Sequence, residues 1–224
     1  MADRAFIVTV PVATEPIALT DVKNYLRIDF SDDDTLIGYL ITRVRGIAER
    51  VTGRALATQT ITETFTIARP KGGEVSGPID HGPNWYQYQE QLGANPFGAA
   101  QFYFDLAKPP IQSTIETITV NTKITAFDPW LAFPLITNSD GSYNMWIDNT
   151  QEPARIYFMD PITANFWQFI YVCGYSSSYP LHGVAPELEQ CLFEGVAFLY
   201  DNREASDLPP GLLNKLLAWK VDWI

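Results

Sequence analysis

A change of hydrophobic period constrains this chain more than any other feature. Over residues 36–51, Leu36, Ile37, Leu40, Ile41, Val44, Ile47, Ala48 and Val51 follow the three-or-four spacing of one buried helix face. Ser31 is the expected N-cap, Asp32, Asp33 and Asp34 crowd the first turn, and Gly53 is placed to end the helix left-handed. From Thr58 the period drops to two. Thr58, Thr60, Thr62, Thr64 and Thr66 alternate with Gln59, Ile61, Glu63, Phe65 and Ile67, the pattern of a strand. Helical spacing returns at Leu188, Cys191, Leu192, Val196 and Leu199, behind a Pro186 suited to the first helical position, and is expected to run to about Arg203.

Shorter signals fill the rest. Phe6 to Val10 reads as a strand stopped by Pro11, and Leu19 to Arg27 as a short helix capped by Thr20. Strands are expected at 101–106, 115–120, 154–158 and 167–173, with a hairpin at Asp140-Gly141 followed by alternating Tyr143, Met145 and Ile147. A last helix is expected over 212–220, after the turn at Asp207-Leu208-Pro209-Pro210-Gly211. Residues 69–100 have no period; glycines and prolines break them throughout, and Trp85, Tyr86, Tyr88 and Phe97 are interleaved. A loop that long with that many aromatics is expected to order against a neighbour.

The order helices, strands, helices gives an α+β expectation. The terminal helices (1–56 and 181–224) pack as one small bundle, and an antiparallel β barrel or sandwich (57–180, with the loop 69–100) is inserted between them.

The chain's 224 residues carry 26 acids against 15 bases, a net charge of -11, and every segment is acidic. Gripping phosphates needs clustered Lys and Arg, so a sequence-specific nucleic-acid binder is excluded. No stretch approaches the ~20 apolar residues of a membrane helix, and the start shows no secretory signal. Cys173 and Cys191 read as two buried thiols in a reducing compartment.

Catalytic patterns are absent: no phosphate-binding Gly-rich loop, no paired-His zinc motif and no Gly-x-Ser-x-Gly turn. His81 and His182 read as surface loop residues. Cys173, His182 and Cys191 lack zinc-site spacing, and Asp29, Asp32, Asp33 and Asp34 lack the alternation of a calcium loop. No enzyme, cofactor or metal is expected. What remains is interaction surface. Trp219, Trp223 and Ile224 form an apolar end that either folds back on its own bundle or docks into a partner.

Several segments together resemble one family. They are Glu15-Pro16-Ile17-Ala18-Leu19-Thr20-Asp21-Val22-Lys23-Asn24-Tyr25-Leu26-Arg27-Ile28, then Asp32-Asp33-Asp34-Thr35-Leu36-Ile37, then Ala48-Glu49-Arg50-Val51-Thr52-Gly53-Arg54-Ala55-Leu56. Later come Ala107-Lys108-Pro109-Pro110-Ile111, Tyr171-Val172-Cys173-Gly174-Tyr175 and the run from Pro186 to Glu204. Their order is similar to that of tailed-phage head-tail connector proteins, also called adaptor or head-completion proteins, including gene-transfer-agent relatives.

The resemblance implies a structural virion protein, made in the host cytoplasm and placed in the head-tail neck. It would form a ring, commonly dodecameric, under the portal protein, extend the DNA channel and present a platform for the next neck or tail component. By the same resemblance Leu212, Leu213, Leu216, Leu217, Trp219, Trp223 and Ile224 would face the portal. Trp85, Tyr86, Tyr88 and Phe97 are expected to contact neighbouring subunits or neck proteins. The alternative is a soluble β-rich module binding a small ligand or glycan through that aromatic loop.

Overall fold

A computed structural model describes residues 3–66, 102–137, 143–150, 152–158, 164–176 and 184–221. They fall into a helical unit and a β unit, each drawn from separated stretches of chain.

The helical unit comprises 11–59, 108–110 and the chain from 173 onward. It holds α1 (Leu19–Leu26), α2 (Asp34–Thr52), α3 (Pro186–Asp201) and α4 (Pro210–Leu217). The stripe expected on α2 is its buried face: Ile37, Leu40, Ile41, Val44, Ile47 and Ala48 share one core with Leu188, Leu192, Val196 and Leu199 of α3 and with Leu212 and Leu216 of α4. The helices from the two ends of the sequence therefore form one bundle. Where α3 faces α2, a Cβ on Gly195 would stand 2.7 Å from Val44 Cγ1, so a side chain there would force its neighbours aside.

The helix ends differ in detail from the sequence expectation. Thr20 lies inside α1, whose N-cap is Ala18, and Asp33 rather than Ser31 caps α2, without a side-chain bond. Both ends instead close through backbone bonds, Val22 N–H to Ala18 O and Ile37 N–H to Asp33 O. Gly53 ends α2 at φ 74°, as its position implies, and Pro186 opens α3.

The β unit holds β1 (Asp3–Val10), β2 (Gln59–Thr66), β3 (Phe102–Asp105), β4 (Thr119–Lys123), β5 (Leu131–Ala132), β6 (Met145–Asp148), β7 (Arg155–Phe158) and β8 (Phe166–Cys173). These form a five-stranded sheet, β1-β2-β8-β4-β5, and a three-stranded sheet, β3-β7-β6. The pairings of β1 with β2, of β4 with β5 and β8, and of β7 with β3 and β6 are antiparallel. Glu63 meets Tyr171 and Phe65 meets Phe169, so β2 and β8 also run in opposite directions.

The sheets do not close into a barrel. β5 is two residues long, flanked by Pro129 and Pro134, which have no N–H to extend a ladder. Instead the sheets pack through aromatics: Phe104 lies against Phe65, Trp167 and Phe169, and Phe158 against Trp167 and Phe169, with centroid separations from 4.9 to 6.3 Å.

The threonine alternation of β2 resolves accordingly. Ile61 and Phe65 are buried, while Thr60, Thr64 and Thr66 on the other face are half-buried. The strand expected at 115–120 begins only at Thr119, because Thr114 to Thr117 is a turn closed by the Thr117 hydroxyl. The Asp140-Gly141 hairpin lies outside the described residues; the pair Thr137 and Tyr143 flanks it as an antiparallel bridge.

Candidate interaction surfaces

In the helical unit the segment Thr52-Gly53-Arg54-Ala55-Leu56 forms a structural knot. Thr52 Oγ1 donates to Ala48 O at 2.8 Å, and the Leu56 N–H donates to Glu49 Oε1 at 2.9 Å. The Ala55 N–H bonds Pro109 O at 3.0 Å. Arg54 is 8% exposed, and its Nε donates to Trp219 O at 2.7 Å. Val221 N–H then bonds Thr52 O at 2.8 Å. The end of α2 thus fastens the segment that follows α4, and a buried guanidinium supplies one of the ties.

This fastening sorts the residues expected to face a portal. Leu212 and Leu216 are buried in the bundle core, where shortening either to Ala would cost ~2–5 kcal/mol of stability. Leu213 and Trp219 are half-buried against that core, and Leu217 is exposed. Trp223 and Ile224 lie outside the described residues, as do Trp85, Tyr86, Tyr88, Phe97, His81 and His182. Up to Val221, then, the chain folds back on its own bundle and offers Leu217 outward.

The aspartates at the start of α2 are engaged in pairs. Asp34 takes an ion pair from Lys23 at 2.5 Å. Asp33 accepts the Tyr200 hydroxyl, a bond that raises the phenol above its ordinary range. Among the described residues no group of three His, Cys, Asp or Glu side chains could hold a metal ion. Cys173 and Cys191 are both buried and not joined in a disulfide. No helix among the described residues is long and apolar enough to cross a membrane.

The β unit carries a surface that the sequence reading did not single out. Residues 124–136 expose Phe127 at 99%, Leu131 at 65% and Ile124 at 60%. Local bonds build this loop. The Thr125 N–H donates to Asp128 Oδ2 at 2.7 Å, which holds the Asp128 carboxyl below its ordinary value. Lys123 Nζ donates to Ala126 O at 2.9 Å and lies 4.7 Å from the Trp130 ring centroid. Asn165 Nδ2 bonds Ile124 O at 2.7 Å.

Farther along, the Ile136 N–H donates to Asn144 Oδ1 at 3.0 Å, and Asn144 Nδ2 donates to Pro134 O at 3.1 Å. Phe133 packs inward on Phe158 and Trp167. A segment anchored at so many points and still presenting apolar side chains has the make-up of an interface anchor. The only sequence signal was the run Phe133-Pro134-Leu135-Ile136 beside Pro129-Trp130-Leu131, whose apolar residues read equally as core.

Residues 16–79 match the family described as phage gp6-like head-tail connector protein. Two solved chains share the fold over nearly its whole length. One, from the neck of an empty gene transfer agent (GTA) particle computed with C6 symmetry, aligns at TM-score 0.60 and 13% identity over 98% of this chain and 97% of that one. The other, from the virion of a native GTA particle, aligns at TM-score 0.61 and 12% identity over 98% and 96%. No curated protein matches.

Proposed function

We propose that this chain is a head-tail connector protein, as the match of residues 16–79 to the phage gp6-like family suggests, and works as the structural adaptor of a virion neck, joining the portal to the next neck or tail component. The observation that carries the proposal is where the family match falls. It covers α1, α2 and the Thr52-to-Leu56 knot, the N-terminal half of the bundle and the point where its C-terminal segment is fastened. A fold shared along almost the whole chain with proteins of a neck and a virion supports it.

The adaptor subunits form a cyclic ring, dodecameric as the family resemblance implies, through which DNA passes without sequence-specific binding. Leu217 on α4 meets the portal, and Trp223 and Ile224 contribute to the same binding. Leu212 and Leu216 serve that end indirectly, by holding α4 in place.

The test separates docking from folding. Leu217→Asp, and a chain ended at Val221, are compared with wild type for sedimentation with portal rings of the same particle and for melting temperature. Both variants are expected to melt like wild type and to leave the portal fraction. Wild-type attachment by both would show that the portal is held elsewhere.

A further inference from the structure

We propose that copies of this chain join head to tail through the two ends of the five-stranded sheet, the β1 edge of one copy meeting the 124–131 loop and β5 of the next. The inference rests on the ring reading above and names the surfaces that close it. A ring of more than two copies needs two different, mutually complementary surfaces on each subunit. Among the described residues β1 and β5 are the terminal strands of the same sheet.

Both ends are apolar and outward. Along β1 every residue from Arg4 to Val10 is exposed, on both faces of the strand, with Ile7 at 62%, Val8 at 49% and Val10 at 55%. Edge strands are usually guarded by charges, prolines or shortness. Residues 5–10 carry no charge and run unbroken except for the bulge between Val8 and Val10. At the opposite end Phe127, Leu131 and Ile124 stand out on a loop already fixed by its own bonds, so little freedom is lost when it is covered.

Charge selects the occupant. A chain of net charge -11 repels its own copies wherever acids meet. These two ends avoid that penalty: residues 129–137 carry no charge, and the loop's Lys123 and Asp128 offset each other.

The experiment uses the full chain with one added cysteine, either Val8→Cys or Leu131→Cys, and a short bis-maleimide linker; the native thiols are buried. Mixing the two variants is expected to give the unlike pair at least ~5-fold over either like pair, as a head-to-tail contact requires. One chain carrying both substitutions should give a ladder beyond the dimer. A predominance of Val8→Cys like pairs would overturn the proposal in favour of two-fold edge pairing. Absence of cross-links while the wild-type chain sediments as a ring would overturn these surfaces and leave the ring reading standing. A wild-type chain found as a single copy, both in solution and in each particle, would overturn the ring and this proposal with it.

Discussion

Glu63 is closed off from water in the β unit. Its carboxylate is ion-paired with Arg4, accepts the Ala107 N–H at 2.9 Å and lies 2.7 Å from the Tyr171 hydroxyl. Burial raises its pKa, and the Arg4 charge and the two hydrogen bonds only partly oppose that rise. The folded protein therefore binds the Glu63 proton more tightly than the unfolded chain does. This contribution to stability is complete below about pH 4.5 and is lost as pH rises through the folded value. Urea unfolding of wild type and Glu63→Gln should show wild type losing ground to the variant from pH 4.5 upward; a constant difference would contradict the assignment. Gly174 makes a sharper demand. It sits at φ 105°, and a Cβ there would stand 2.0 Å from Ala57 O, so Gly174→Ala should lower stability by at least ~2 kcal/mol in the same assay. The sequence puts Glu63 in phase with Ile61 and Phe65, and the structure shows that this is the buried face. Its partners were not legible, because Ala107 and Tyr171 lie 44 and 108 residues away.

Among the elements, α2 was the most legible, since eight apolar residues in phase leave few alternatives to one buried face. What the pattern could not convey was its outer face. Gly38 and Gly46 lie within the helix with nothing within 4 Å of a Cβ built on either. Glycine inside a helix costs about 0.5–1 kcal/mol relative to alanine, with no packing gain here to offset it. Gly38→Ala and Gly46→Ala should each raise the urea midpoint of the isolated chain, and a fall in either would show that the face is crowded. The β elements were half legible. β7 and β8 lie within runs of strand-forming residues, but β5 is set by tertiary pairing with β4 and has too few residues to show a period. The exposed loop beside it was missed for a related reason: apolar residues near prolines read alike whether they end in a core or on a surface.

For the whole molecule the acidity argues against a role in holding DNA, and the proposed adaptor function would give it a use. A passage bordered by carboxylates repels phosphates and lets DNA slide. At ~50 mM salt, where phosphate-gripping proteins bind far more tightly than at higher ionic strength, the chain should not retard duplex DNA in a gel; retardation would point to a basic lining. The path of the chain through the two units bears on synthesis as well. The β unit takes residues before 11 and then 60–107 and 111–172, while the helical unit takes 11–59, 108–110 and the chain from 173 on. β1 must wait for β2, β2 for β8, and α2 for α3, so a nascent chain stopped near residue 150 has completed neither unit. Folding of either unit is therefore dominated by contacts between distant residues and correspondingly slow. A product ended soon after residue 173 holds strands β1 to β8 but lacks α3 and α4, so truncation there spares the β unit and never the bundle.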